Sequence, residues 1–235
     1  MNISEFQEKF FEYTKNREYK DALALVDLAL YEKIPADQLI TKGIAENLNR
    51  FQKFSDEGYI NTSAFQLLAI GKISEDSIEK IKPHLLKMEK SVNKKKIVIG
   101  TIKSDFHGLG IKIIKLFLEL ENFEVINLGL DVDPEKFIKT IEETNAVYLF
   151  IGTMMLHNII GIKKVGDLLV QKNLREKVKF FVGGAPFNYN YNLIEKVGAD
   201  DSAENIYELL DKLLGRSSKY KIKKKRKFRF FKRGK

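Results

Sequence analysis

Apolar positions in the first 86 residues recur every three or four residues, which is the spacing of amphipathic helices. Four such segments are separated by short polar stretches, and none of them alternates as a strand does. We expect Ser4 and Gln7 to form a capping box at the first helix, and Pro35 to mark the start of the third. Residues 1–86 are therefore predicted to form a four-helix bundle.

From residue 97 onward the pattern changes to short apolar runs that alternate with amphipathic helices. The runs predict five strands, which are Ile97–Thr101, Val125–Leu128, Ala146–Ile151, Val178–Val182 and the brief Ala199–Asp201. A helix follows each strand, and we expect Asp133 and Ser202 to cap two of these helices. Five strand–helix units predict an α/β fold, namely a flavodoxin-like, doubly wound, five-stranded parallel sheet.

A charged, polar segment separates the two patterns. We therefore divide the chain into a helical bundle (1–86), a linker (87–96), an α/β domain (97–215) and a basic tail (216–235). The whole chain has a net charge of +9, and its positive excess comes from the tail, which holds 12 Lys and Arg residues and no acid. The rest of the chain has 29 basic and 32 acidic residues, so its net charge is −3. The overall charge is thus no indication that the folded part binds nucleic acid.

Composition excludes several classes of protein. Cysteine is absent, which rules out disulfides, thiolate metal sites and cysteine nucleophiles and agrees with a reducing compartment. The first ten residues lack the basic region and apolar stretch of a signal peptide. The sequence contains no run of about 18 apolar residues, so no membrane span is predicted. We therefore expect a cytoplasmic protein.

The candidate chemistry lies in the turn after the first predicted strand. That turn consists of Asp105, Phe106, His107, Gly108, Leu109 and Gly110. In the flavodoxin-like order the first and third strands are neighbours, so this turn and the loop at Gly152 and Thr153 flank a crevice. The pair Gly183 and Gly184 follows the fourth strand at the same edge. Glycines let a ligand approach the backbone closely, and we predict a ligand slot at this edge.

The donor atoms in this turn narrow the choice of ligand. A neutral imidazole binds cobalt, iron, zinc or copper, and a ligating histidine usually donates its other N–H to a carboxylate, which suits Asp105. One histidine is too few for a zinc site made by protein side chains alone. It suffices where a macrocycle supplies four equatorial nitrogens. His107 and Asp105 therefore indicate either an axial ligand to a metal macrocycle or a proton-transfer pair.

The turn resembles the Asp-x-His-x-x-Gly motif of cobalamin-binding domains. Three other segments of the sequence also resemble the corresponding segments of this family, namely Gly100–Ser104, Phe123–Phe137 and Val182–Pro186. Over about residues 1–215 the chain resembles the corrinoid proteins of methyltransferase systems and the cobalamin-binding module of methionine synthase. The helical bundle is similar to the cap domain of that family.

This resemblance implies roles for individual residues. His107 would be the lower axial ligand of cobalt, and Asp105 would be its hydrogen-bond partner. The other cofactor contacts would come from Phe106, Gly108, Leu109, Gly110, Gly152, Thr153, Gly183 and Gly184. The family usually has Ser-x-Leu after the third strand, where this chain has Gly152, Thr153 and Met154. The cap would cover the upper face of the corrin through Phe54, Tyr59, Ile60 and Phe65.

The resemblance also implies a function. The protein would be a corrinoid carrier that binds cobalamin, as methylcobalamin or a related corrinoid, and shuttles a methyl group. Its partners would be a substrate-specific methyltransferase, an acceptor methyltransferase and a corrinoid reductive activator. It would be a methyl-carrying subunit rather than a stand-alone enzyme. The alternatives are a cobalamin-responsive sensor or storage protein, an adenosylcobalamin mutase subunit, and an interaction module that binds no cofactor.

The tail lies outside the resemblance. Phe228, Phe230 and Phe231 stand among its basic residues. Such a segment suits an anionic membrane, nucleic acid or the acidic surface of another protein. The simplest alternative is a disordered, solvated extension.

Overall fold

A computed structural model describes residues 1–48, 50–51, 64–85 and 94–215. The predicted tail and most of the predicted linker lie outside the described residues. The same holds for three of the proposed cap residues, Phe54, Tyr59 and Ile60, and for the side chain of Phe65.

The N-terminal region is helical, as predicted. Its helices are α1 (Ile3–Asn16), α2 (Tyr19–Tyr31), α3 (Ala36–Gln38), which continues as a π-helix (Leu39–Ala45), and α4 (Ala64–Ile81), which ends in a 3₁₀ turn (Lys82–His84). Further helical residues are 46–48 and 50–51. Among the described residues, no helix is long and apolar enough to cross a membrane.

The capping box of α1 lies two residues earlier than predicted. The Asn2 side chain accepts a hydrogen bond from the Glu5 N–H (3.0 Å), and the Glu5 carboxylate accepts one from the Asn2 N–H (3.1 Å). Asn is among the best capping residues and Glu is the usual third residue of the box, so this pair prevails over Ser4 and Gln7. The Gln7 side chain instead donates to the Lys42 carbonyl (2.7 Å).

The C-terminal part is a five-stranded parallel sheet with strand order β2-β1-β3-β4-β5, which confirms the flavodoxin-like prediction. Its strands are β1 (Lys96–Thr101), β2 (Glu124–Asn127), β3 (Tyr148–Gly152), β4 (Lys179–Gly183) and β5 (Asp201–Ala203). The helices are α5 (Leu109–Leu120), α6 (Pro134–Thr144), α7 (Ile159–Gln171) after a 3₁₀ turn (Leu156–Asn158), α8 (Ala185–Tyr189), α9 (Asn192–Lys196) and α10 (Ile206–Leu214).

Of the two helix caps expected in this part, the one at Ser202 is wrong and the one at Asp133 is confirmed in position only. Ser202 lies inside β5 and is buried, and α10 begins after Asn205, whose side chain accepts the Glu208 N–H (3.0 Å). An Asn three residues before a Glu is the better start signal, so the helix begins later than predicted. Asp133 occupies the cap position of α6 in an extended conformation, but its side chain makes no capping bond there. Its carboxylate lies near Lys103 (3.5 Å) instead.

Within the described residues the apolar core has two large parts, one on each face of the sheet, and a third, small cluster of Phe11, Phe51 and Ile70 lies within the helical region. The first part joins α5 and α10 to the N-terminal helices in one continuous cluster of buried side chains. The second part packs α6, α7 and α9 against the other face. Polar contacts also connect the helical region to the sheet region, because the Tyr207 hydroxyl is 2.8 Å from Thr41 Oγ1 and Lys112 pairs with Glu75 (2.8 Å).

Candidate functional site

The turn that contains Asp105 and His107 leads from the carboxyl end of β1 into α5. The Asp105 side chain is fully buried, whereas 56% of the His107 side chain is exposed. Asp105 Oδ1 accepts the backbone N–H of His107 (2.9 Å) and lies 2.8 Å from its ring Nδ1. The imidazole is therefore held through Nδ1, and Nε2 is the ring nitrogen that remains for a ligand.

The second carboxylate oxygen of Asp105 binds the loop after β3. Asp105 Oδ2 accepts the Thr153 hydroxyl (2.6 Å) and the Met154 N–H (2.7 Å). The registers Thr101–Gly152 and Gly152–Gly183 place the ends of β1, β3 and β4 side by side, as the predicted strand order requires. The loops after β1 and β3 therefore meet at one buried carboxylate.

These hydrogen bonds set the charge of the buried carboxyl. Burial alone would raise the pKa of Asp105, but the bonds from Thr153, from the backbone of His107 and Met154 and from the His107 ring outweigh it and lower that pKa. An ionised carboxylate beside Nδ1 favours the tautomer that carries its proton on Nδ1. The lone pair of Nε2 is then available to a metal ion.

Sequence reasoning assigned Thr153 to the cofactor slot and missed its bond to Asp105. The side chain of Thr153 is buried, and its hydroxyl also accepts the Met155 N–H (3.2 Å). The signal available in the sequence was a hydroxyl residue in the loop after a neighbouring strand. Only the register of β1 and β3 shows that this hydroxyl reaches the carboxylate.

The glycines of the predicted slot differ in what surrounds them. A Cβ at Gly110 would meet nothing within 4 Å, so this position faces open space. A Cβ at Gly184, where φ is +104°, would lie 1.9 Å from the Thr153 carbonyl oxygen, and one at Gly183 would lie 2.8 Å from the Phe150 ring. Gly183 and Gly184 are thus required by packing within the chain, and Gly110 has the open surroundings that a ligand needs.

Exposed apolar side chains lie in the loops at this edge of the sheet. Phe106 is 68% exposed, and the others are Leu130, Met155, Leu156 and, at the start of α7, Ile160. Clustered exposed apolar side chains are unusual on a free surface and suit a ligand with a flat apolar face. Sequence reasoning named only Phe106 of this set, because apolar residues in loops carry no periodicity.

The donor set fits a corrinoid rather than a metal site built from protein side chains alone. No group of three or more His, Asp or Glu side chains that could hold a metal ion occurs within the described parts of the chain. One histidine whose exposed ring is oriented by a buried carboxylate, next to apolar loops and an open glycine, matches what a preformed macrocycle requires from its protein.

Comparisons with known proteins agree with this geometry. Residues 95–211 match the family described as the B12 binding domain. The chain is 31% identical over 194 residues to dimethylamine corrinoid protein 1 of Methanosarcina acetivorans, an alignment that covers 82% of this chain and 89% of that protein. It is 27% identical over 196 residues to trimethylamine corrinoid protein 1 of the same organism, with 82% and 88% covered. The solved structure of the Methanosarcina barkeri monomethylamine corrinoid protein superposes with a TM-score of 0.78 at 26% identity, over 90% of this chain and 98% of that one.

Proposed function

This chain belongs to the B12-binding family, and from this premise we propose that it is a corrinoid carrier protein with His107 as the lower axial ligand of cobalt. The observation that carries the proposal is the His107 ring held by the buried Asp105 carboxylate through Nδ1 (2.8 Å), with the ring itself exposed. When bound, the corrinoid supplies the cobalt centre that accepts and donates the methyl group.

The chain's own residues bind and orient the cofactor in this proposal. His107 Nε2 coordinates cobalt, and Asp105 keeps the proton on Nδ1 and fixes the plane of the ring. The hydroxyl of Thr153 and the N–H of Met154 hold the Asp105 carboxylate in its ionised form. Gly110 and the exposed apolar loop residues are the surfaces that we assign to the corrinoid.

The partners follow from the relatives. Those named above are corrinoid proteins of monomethylamine, dimethylamine and trimethylamine systems. We therefore propose that a methyltransferase specific for a methylated amine loads the carrier, that an acceptor methyltransferase unloads it, and that a corrinoid reductive activator restores it. The division into a cap, a linker and a cobalamin-binding domain is part of the same proposal.

A second candidate function is a cobalamin-responsive protein that uses the basic tail to bind a polyanion. The 12 Lys and Arg residues of the tail, without an acid, favour it. Full-length and tail-truncated protein would be compared for binding to RNA and to anionic vesicles at low and high salt. No tail-dependent binding at low salt would exclude this function.

The test of the carrier function is reconstitution with hydroxocobalamin and with methylcobalamin. The wild-type protein and His84→Ala, which removes an exposed histidine of the helical region, should retain both corrinoids through dialysis. His107→Ala should bind them more weakly and show the visible spectrum of a corrinoid without histidine coordination. Failure of the wild type to bind either corrinoid would exclude the carrier function.

The ligand assignment has its own readout. The hydroxocobalamin-loaded protein is reduced by one electron and studied by electron paramagnetic resonance with and without ¹⁵N-labelled histidine. If His107 ligates cobalt, the nitrogen hyperfine pattern changes with the label, because the cofactor's own base is unlabelled. An unchanged pattern, or an unchanged spectrum in His107→Ala, would refute the assignment.

A further inference from the structure

The loop that follows β2, residues 129–133, lies against the His107 turn. The Thr101 N–H donates to the Gly129 carbonyl (3.0 Å), and the Val132 N–H donates to the Thr101 carbonyl (3.0 Å). Leu130 packs on Gly108, where an added Cβ would lie 3.2 Å from Leu130 Cδ1. This loop therefore forms one wall of the turn.

Asp131 makes the contacts of this loop that lie nearest to Asp105. Its carboxylate Oδ1 accepts the Ser104 N–H (2.8 Å). Its own N–H donates to the Asp105 carbonyl (3.1 Å) and to the Thr101 hydroxyl oxygen (3.1 Å). The Thr101 hydroxyl donates to the same Asp105 carbonyl (2.6 Å). Asp131 thus holds the chain on both sides of the Asp105 Cα atom.

The backbone of Ser104 explains why such a partner is needed. Its φ is +67°, in the left-handed region that residues other than glycine rarely adopt. A conformation of this kind persists only where the surrounding contacts determine it. The hydrogen bond from the Ser104 N–H to Asp131 is such a contact, and the next residue along the chain is Asp105.

We propose that Asp131 is a positioning residue that fixes the His107 turn for cobalt ligation, an inference that rests on the proposed function. Asp131 acts through the backbone of Ser104 and Asp105. A shift of that backbone moves the Asp105 carboxylate, to which the His107 ring is bonded at 2.8 Å. Removal of groups that orient a metal ligand typically weakens metal affinity roughly 10- to 100-fold.

The surface charge of Asp131 does not account for its role. Its Oδ2 is 3.7 Å from Lys103 Nζ, and half of the Lys103 side chain is exposed. Exposed ion pairs of this kind contribute little to stability. Lys103 also lies 3.5 Å from Asp133 Oδ1. Lys103→Met and Asp133→Ala therefore remove these charges while they leave the bond between Asp131 and Ser104 in place.

The test compares full-length wild type, Asp131→Ala, Asp131→Asn and the two control variants. We expect Asp131→Ala to bind hydroxocobalamin roughly 10- to 100-fold more weakly and to lose the spectrum of histidine coordination. Asp131 has a φ of +55°, which Asn tolerates. Asp131→Asn also keeps an acceptor oxygen, so it should stay close to the wild type. In the apoprotein, amide hydrogen exchange over residues 103–108 should be faster in Asp131→Ala only.

Several results would overturn the proposal. These are wild-type affinity and spectrum in Asp131→Ala, or an equal loss in Lys103→Met. If Asp131→Ala does not fold, amide hydrogen exchange at Ser104 is measured in the wild-type apoprotein instead. An unprotected Ser104 amide would refute its hydrogen bond to Asp131 and with it the proposal. If the wild type binds no hydroxocobalamin, the carrier function fails, and amide exchange still shows whether Asp131 fixes the turn.

Discussion

Thr153→Val is the sharpest single probe of the buried carboxylate. Valine has nearly the shape of threonine, so the substitution removes the hydroxyl without leaving a large cavity. The hydroxyl lies 2.6 Å from Asp105 Oδ2, and both side chains are buried. A hydrogen bond to a charged group contributes about 1.5–3 kcal/mol. The apoprotein should lose this amount of unfolding free energy at pH 7.

The loss should depend on pH in a defined direction. The Thr153 hydroxyl is one of the bonds that lower the pKa of Asp105 in the folded protein. A lowered pKa gives stability that is present above the ordinary aspartate pKa of about 3.9 and is lost as the pH falls through the folded-state value. Thr153→Val raises the pKa of Asp105, so its difference from the wild type should shrink as the pH falls below about 4.

Urea unfolding of wild type, Thr153→Val and Thr153→Ser from pH 7 downward measures both effects. Thr153→Ser keeps the hydroxyl and should recover most of the stability at pH 7. A penalty for Thr153→Val that stays constant over the whole pH range would mean that packing, not the hydrogen bond to a charged carboxylate, is responsible. No penalty at pH 7 would refute the reasoning altogether.

Three further predictions concern positions around the site. Gly184→Ala should lower the unfolding free energy by about 3 kcal/mol or more in urea, because its Cβ would lie 1.9 Å from the Thr153 carbonyl oxygen at a φ of +104°. Gly110→Ala should leave the melting temperature of the apoprotein unchanged or raise it, because the position is open and lies in a helix. The same substitution should weaken hydroxocobalamin binding in a titration. Tyr207→Phe should cost about 1 kcal/mol in urea unfolding, because its hydroxyl contacts Thr41 Oγ1 (2.8 Å) and donates to the Asp37 carboxylate (3.2 Å). An unchanged midpoint would contradict this.

The sequence allowed the strand order and the Asp105–His107 turn to be predicted because both depend on local patterns. Alternating strand and helix patterns give the order of a doubly wound sheet, and the two side chains are only two residues apart. The contacts of Thr153 and Asp131 with this turn span 48 and 27 residues. They depend on the register of neighbouring strands, which no local pattern records.

The prediction that Ser202 caps the last helix is wrong for a related reason. Ser202 and Asn205 are both acceptable capping residues, and the position of β5 decides between them, because the strand lies at Asp201–Ala203 and not at the predicted Ala199–Asp201. Pairing with β4 draws residues 201–203 into the sheet, so the helix begins after it. Tertiary pairing therefore overrides a local signal.

The continuous core between the helical region and the sheet region affects how this protein can be divided experimentally. Both α5 and α10 bury apolar side chains in a cluster that also contains residues of α1, α2 and α4. A fragment that starts at residue 94 would keep the loops around His107 but leave part of this apolar surface in water. Such a fragment should self-associate, and a chimera that exchanges the cofactor-binding part between relatives has to carry the helical layer with it.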